Sequence, residues 1–290
     1  MLDKILRALK GPGAPAIVIQ PQGTEGAKAA ILDQYIRTAP SDQNALDLFK
    51  GEWWSAMPPE RAELVAGQTP LFIDPRMHFA VEALGGVAGK SVLELGPLEA
   101  GHTYMLEKAG AREIVAVEAN ARAFLKCLIA KEVLGLSASK FVYGDFEAYL
   151  REPPRRFDAV IACGVIYHLK NPVELIQNLA KVTDRVYVWT QFFIAERVAA
   201  IAHMRNRFRP GATAEVGGFR HTLNRYEYGD FLDTTRFAGG SDNYSNWLSK
   251  EDLLGALRHA GFTEITIHEI DLEHANGPCI SLAAKKPSAG

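Results

Sequence analysis

Val92–Thr103 reads VLELGPLEAGHT. Ser91–Leu95 has the apolar run of a buried strand, Gly96 and Pro97 make a turn, and Gly101 opens a helix expected over Gly101–Ala109. A strand that turns through glycine into a helix N-terminus is a ready site for a nucleotide-like ligand. Backbone N–H groups face the ligand, and glycine admits it close to the chain.

Two patterns compete for this turn. A dinucleotide site wants G-x-G-x-x-G. Gly96 and Gly101 match its first and third glycines, but Leu98 stands at the second, where a side chain crowds a pyrophosphate. Leu98 obstructs less a ligand with no phosphate there, such as S-adenosylmethionine. The next strand ends decide between them. Glu118 closes a second strand, Glu113–Glu118, where a carboxylate accepts hydrogen bonds from both hydroxyls of a ribose. Asp145 follows a third strand, Lys140–Tyr143, in the triplet Gly144–Phe146; it can accept from an adenine amino group while Phe146 packs on the ring. Glu94 lies inside an apolar strand and needs a partner, for which the ammonium of a methionine moiety is suited. His102 or Thr103, at the helix start, can bond the methionine carboxylate or satisfy the backbone there.

From Lys90 onward strands and helices alternate. A helix over Asn120–Leu134 has Phe124, Leu125, Leu128, Ile129 and Val133 on one side; Phe157–Ala162 is a fourth strand, Pro172–Val182 a helix and Arg185–Trp189 a fifth strand. This alternation implies βαβ units and a parallel sheet covered on both faces. Upstream, Met1–Lys10 and Ala27–Thr38 have helical periodicity, Gly11–Gly26 is expected to be extended, and Ser41 or Asp42 caps a further helix to about Phe49. Asp74–Leu84 is expected as a helix with Phe79, Val81 and Leu84 on its apolar side. Ser249–Ala260 is a helix with Ser249 as N-cap and Asp252 completing a capping box, followed by strands over Glu264–Asp271 and Pro278–Ala284.

The 290 residues carry a net charge of −2, which exerts no global pull toward nucleic acid or membrane. Three scattered cysteines, Cys127, Cys163 and Cys279, without C-x-x-C spacing, argue against a disulfide framework or zinc site and for a reducing, cytoplasmic setting. No apolar run is long enough for a membrane span, and no metal is expected.

The order of VLELGPLEAG, AVEAN (Ala116–Asn120), GDF and FDAVIACGVIYHLKNP (Phe157–Pro172) resembles the class I S-adenosylmethionine-dependent methyltransferases over roughly Met77–Thr190. GVIYHLKNP is similar to the subgroup that holds bacterial tRNA wobble-uridine modifying enzymes and many methyltransferases of unassigned substrate. The resemblance implies a Rossmann-like three-layer α/β sandwich, its seven-stranded sheet mostly parallel with the last strand antiparallel. It implies S-adenosyl-L-methionine as cofactor, with Gly96 and Gly101 shaping its loop, Glu118 binding ribose, Asp145 and Phe146 holding adenine, and Cys163, Gly164 and His168 lining its far side; Glu94, His102, Thr103 and Ala119 complete the candidate cofactor set. The departure is the loop, E-x-G-x-x-x-x-G in place of E-x-G-x-G-x-G.

Four segments result: a mostly helical extension (1–75), the cofactor core (76–191), a lid insert (192–247) and a completing helix with two strands (248–290). Tyr167 and His168 follow the fourth strand, where cofactor and acceptor meet; His168 acts as general base or packs against the cofactor. Trp53 and Trp54, in GEWWSAMPP, pin the extension to the core or wall the substrate site. Glu196–Arg225 sets six arginines against two glutamates in a helix-like piece, either a solvated face or an anion site. Arg197, Arg220, His221 and Tyr226 are its candidate substrate residues. The leading expectation is methyl transfer to a small anionic or aromatic metabolite. The alternatives are a tRNA-modifying enzyme, with RNA as partner, and a cofactor-binding module without catalysis. No oligomeric state follows.

Overall fold

The computed structural model describes residues 35–229 and 240–287. The expected Met1–Lys10 helix, the Gly11–Gly26 stretch, most of Ala27–Thr38, the insert's Phe231 and Gly239, and the end of the tail lie outside the described residues. Pro40–Gly290 cluster as one compact unit, so residues 40–75 share a unit with the sheet, and the architecture below is that of this unit.

The strands are β1 Ser91–Leu95, β2 Glu113–Glu118, β3 Ser139–Tyr143, β4 Ala159–Cys163, β5 Arg185–Gln191, β6 Ala212–Val216, β7 Phe219–Glu227, β8 Tyr244–Trp247, β9 Glu264–Asp271 and β10 Cys279–Lys285. The helices are α1 Asp42–Leu46, α2 Pro75–Ala83, α3 Gly101–Lys108, α4 Ala121–Leu134, α5 Phe146–Arg151, α6 Pro172–Val182, α7 Ala195–Ala200 and α8 Lys250–His259. Seven strands form one sheet in the order β3-β2-β1-β4-β5-β10-β9. The first five run parallel, and β10 pairs antiparallel with both β5 and β9. This is the Rossmann-like architecture expected. The strand order reverses between β1 and β4, so a crevice opens at their carboxyl ends.

The central strands are apolar because helices cover both faces. Leu93, Leu95, Val160, Ala162, Val186 and Val188 are buried with Ile176 and Leu179 of α6 and Ile280 and Leu282 of β10. Pro172 starts α6 without sacrificing a helical N–H, and Asn120 caps α4 through Ala123 N.

Three local expectations change. In α4 the buried face is Ala123, Lys126, Cys127, Ala130 and Val133, whereas Leu125 and Leu128 are exposed. Small residues let α4 lie close to the sheet, and Lys126 is tolerated inside because Glu99 Oε1 accepts its ammonium at 2.8 Å. In α2 the core side is Met77 and Ala80, with Leu84 at its C-cap; Phe79 instead stacks on His268 of β9. At α8, Ser249 does cap Asp252 N, but the Asp252 carboxylate accepts from Thr222 N rather than closing the box.

The insert differs most. Among its described residues α7 is the α-helix, and β6, β7 and β8 form a second, antiparallel sheet. Its inner face joins Tyr226, Tyr228 and Trp247 to Val198 and Met204, with Tyr167 packed against them. Asn246 bonds Leu169 O and Lys170 O, so this sheet is fastened directly behind Tyr167 and His168.

Candidate functional site

The turn after β1 keeps a glycine-like backbone at three positions, only one of which is glycine. Gly96, Leu98 and Ala100 have φ of +63°, +56° and +66°, the left-handed region that side chains resist by roughly 1–2 kcal/mol. These are the three glycine positions of E-x-G-x-G-x-G counted from Glu94. The loop is held in this shape from several sides. Glu118 Oε2 accepts from Leu98 N at 3.2 Å, and Glu99 is buried beneath the loop, accepting from the Trp54 and Ser55 amides. Gly101 is needed for a different reason: a Cβ there would sit 2.8 Å from Leu71 O, so this glycine admits the Leu71–Ile73 turn and not only a ligand.

The loop forms one wall of a cavity of about 640 Å³ at the carboxyl ends of β1, β2, β4 and β5. Gly96, Gly101, His102, Glu118, Ala119, Asp145, Phe146, Cys163, Gly164, Tyr167, His168 and Trp54 all line it. Glu118 is buried at the end of β2. Burial pushes its carboxyl up to about 7 against the pull of the Asn120, Leu98 and Ala119 amides. It is a carboxylate desolvated in advance and facing the cavity, the kind of group a ribose diol satisfies. Asp145 caps α5, accepting from Glu147 N at 2.7 Å, and so stands fixed at the cavity edge beside Phe146.

A second cluster lies at the start of α3. Asp74, buried at the start of α2, accepts from Arg76 Nε and pairs with His102 Nε2 at 2.9 Å. Burial opposes ionisation of Asp74, but the bonds from His102 and Arg76 hold its carboxyl well below the usual range. Burial opposes the imidazolium too, yet Cys163 and Asp74 raise His102 to about 10. Arg76 and His102 thus converge on one carboxylate beside the helix N-terminus, where their N–H donors suit a ligand's carboxylate.

Glu94 and Thr103 do not reach the cavity. They satisfy each other, the Thr103 hydroxyl donating to Glu94 Oε2, and both are buried. The partner expected for Glu94 from a ligand is supplied by the protein. Trp53 also points away, its Nε1 donating to Leu46 O in the core. The insert's candidates are elsewhere: Arg197 pairs with Glu273, Arg220 is exposed on β7, His221 is buried with Nδ1 on Phe219 O, and Tyr226 belongs to the inner face of the second sheet. Arg209 and Arg225 share Glu227, and Arg205 and Arg207 donate to backbone carbonyls. Of the six arginines only Arg220 and Arg225 stand on the small sheet, Arg197 is in α7 and the other three precede β6, and none of them lines the crevice.

The cavity is also lined by residues that sequence reasoning did not select: Asp242, paired with Lys170, and, toward β5 and the β9–β10 connection, Arg76, Trp189, His274 and Asn276. Arg76 lies over the Trp189 ring at 4.9 Å, and His274 meets that ring edge-on. His274 and Asn276 sit in the β9–β10 hairpin, pinned by Gln191 Nε2 on Asn276 O. The turn His274–Gly277 is closed by Gly277 N on His274 O, and only the antiparallel placement of β10 beside β5 brings it to the crevice.

His168 is half-buried between Tyr167, 4.0 Å away ring to ring, and Tyr228, whose hydroxyl lies 2.7 Å from His168 Nδ1. Burial pushes His168 down to about 3. It is a neutral hydrogen-bonding group at ordinary pH and a weak base. Among the described residues no cluster of His, Cys, Asp or Glu could hold a metal ion, and no helix is long and apolar enough to cross a membrane.

Comparison with known proteins agrees with this geometry. Residues 93–185 match the family model for a methyltransferase domain. No curated protein matches the chain. Among solved structures, the N-terminal domain of EvdMO1, crystallised with SAH and D-fucose, shares 21% identity over 84% of this chain and 95% of that one, with a TM-score of 0.65. Full-length EvdMO1 is 20% identical over 84% of this chain and 46% of that one, with a TM-score of 0.57. An S-adenosylmethionine-dependent methyltransferase from Mesorhizobium loti is 12% identical over 74% of this chain and 100% of that one, with a TM-score of 0.50. At such identities the structural likeness is one of fold, and the domain match carries the chemistry. Residues 93–185 thus match a methyltransferase domain, and S-adenosylmethionine is the cofactor such a domain implies.

Proposed function

We propose that this protein methylates a small, uncharged, hydroxyl- or ring-bearing metabolite enclosed between the glycine-position loop and the β9–β10 hairpin. The observation that carries this reading is the cavity itself, which runs from Glu118 and Asp145 at one end to Trp189, His274 and Asn276 at the other. One end suits an adenosine and the other has room and polar groups for a second molecule.

In this reading Glu118 receives the ribose hydroxyls, Asp145 and Phe146 hold the adenine, and His102 with Arg76 takes the methionine carboxylate. The bound cofactor supplies a methyl group activated by a sulfonium. The protein's own task is to align an acceptor oxygen or nitrogen behind that methyl and to exclude water, which supplies much of the rate in such displacements. Tyr167 and Trp189 provide flat walls. His168, held by Tyr228, accepts a hydrogen bond from the acceptor and orients its lone pair. With the cofactor bound, the methyl would pass to the acceptor as S-adenosylhomocysteine leaves, and the acceptor's proton would go to solvent, His168 staying a neutral hydrogen-bond acceptor.

The aromatic part of the sequence expectation keeps its support here, and the anionic part loses it. Glu118, Asp145, Glu147 and Asp242 line the cavity against Arg76 and His102, and the cofactor's own carboxylate occupies those two cations. An anionic acceptor would find no cation left over among the lining residues, and Lys170 nearby is already paired with Asp242. The D-fucose in the EvdMO1 structure makes that neutral sugar a sensible first probe. The test is incubation with S-adenosylmethionine and separate pools of neutral and anionic metabolites, read by mass spectrometry for the gain of one CH₂. Products from the neutral pool are expected. Products from the anionic pool alone, or from bulk tRNA alone, would refute the assignment.

A further inference from the structure

Glu99 is the acidic residue between two left-handed positions of the loop, and no ligand is needed to explain why it is there. Its carboxylate is 1% exposed and collects three donors: Trp54 N at 3.0 Å, Ser55 N at 2.7 Å and Lys126 Nζ at 2.8 Å. Lys126 also donates to Glu52 O and lies 5.5 Å from the centre of the Trp53 ring. The loop thus grips the backbone of residues 52–55 from below.

The same short segment is gripped from above. Gln68 N and Thr69 N both donate to Trp54 O, Ser55 and Thr69 form a bridge, and a Cβ on Gly67 would fall 2.2 Å from Trp54 O. Trp53 is anchored in the core by its indole N–H. Trp54, its neighbour, faces the opposite way. It is 55% exposed and lines the cavity together with Thr69 and Leu71. A large aromatic side chain on so firmly fixed a backbone, lining the cavity, presents a rigid ring against which an occupant can pack.

We propose that Trp54 is a cofactor-retaining wall of the cavity and that Glu99 is its positioning residue, acting from within the cofactor loop. This rests on the reading of the cavity as the S-adenosylmethionine site. Substituting both inner glycine positions of the usual loop pattern with Leu98 and Ala100 leaves Glu99 directed inward, so the loop shapes the ligand's seat and holds the opposite wall at once.

The prediction concerns affinity more than turnover. Glu99→Gln puts an amide NH₂ and a single acceptor oxygen where three donors converge, so one donor is left facing another donor. Trp54→Ala removes the wall and leaves its anchor. Calorimetry with S-adenosylhomocysteine should show each variant binding about ten-fold more weakly, and Trp54→Phe should recover most of that loss. The double variant should bind no more weakly than Trp54→Ala, because both changes remove one interaction. In turnover, KM for S-adenosylmethionine should rise while kcat at saturation changes little, a split that a loss of folded protein would not produce. Should Glu99→Gln not fold, Glu99→Asp, which withdraws the carboxylate by one methylene, is the second variant and should shift affinity in the same direction. Wild-type affinity in Trp54→Ala, or losses that multiply in the double variant, would overturn the proposal while Glu118→Ala still abolishes binding. No binding by the wild-type protein would overturn the cofactor reading, and this proposal with it.

Discussion

Single residues in the loop after β1 show two costs of similar size opposing each other. Ala100 is fully buried at φ +66°. Glycine there would relieve about 1 kcal/mol of backbone strain and forfeit about 0.8 kcal/mol of methyl burial. Ala100→Gly should therefore leave the melting temperature almost unchanged. Gly96→Ala adds both penalties, a side chain at φ +63° and a contact 2.9 Å from Val165 Cγ1, and should destabilise by about 2–4 kcal/mol in denaturant titrations. Protonation is a residue-scale matter too. Burial raises Glu118 to about 7 in the folded, unliganded protein. Its contribution to stability is full below the unfolded carboxyl's ordinary value and is lost as pH rises through 7. Ribose hydroxyls favour the ionised form, so cofactor binding releases a proton. Affinity for S-adenosylhomocysteine should rise with pH up to about 7, by at most about ten-fold per unit, and then level off; Glu118→Gln should flatten the profile. His168, pushed down to about 3 by burial, stays neutral throughout, so kcat at saturating cofactor should show no acid limb between about pH 5 and 8. A limb near 6.5 that disappears in His168→Gln would contradict its role as a hydrogen-bonding group.

At the scale of elements, the strands of the main sheet were legible because strands buried on both faces carry near-continuous apolar runs, as EIVAVE in β2 does. Capping was legible for the same local reason. Ser249 accepts from Asp252 N at 3.0 Å, and Ser249→Ala should cost about 1 kcal/mol, a fall of about 2–4 °C in the melting temperature. The small sheet was not legible. Along β7, FRHTLNRYE, the buried positions are His221, Asn224 and Tyr226, and arginines alternate outward. A strand whose inner face is polar has no hydrophobic period of two, so its arginines read as a basic helix. The site divides along similar lines. Glu118 and Asp145 stand at strand ends that the sequence marks. Arg76, Trp189, His274 and Asn276 come together only through tertiary closure, and no local pattern could have announced them. Thr103 and Glu94 show the converse: residue types suited to a ligand, placed so that each satisfies the other.

For the whole molecule, the contacts around Glu99 carry a consequence in time. Residues 46–73 leave the ribosome before the sheet does, yet their fastenings are Glu99, Gly101, Arg122 and Lys126. Glu52 is bonded to a residue 74 positions further along the chain. The early segment has no seat until β1, α3 and α4 have been made and assembled, so it docks after them although it is synthesised first. Closing so long a loop is slow relative to local helix formation. Pulse-labelling hydrogen exchange during refolding should find the β1 and β4 amides protected before those of Trp54 and Ser55. The cofactor's seat is then finished by a segment made earlier and arriving last, and a ligand present during refolding would find β2's carboxylate ready and the tryptophan wall still open.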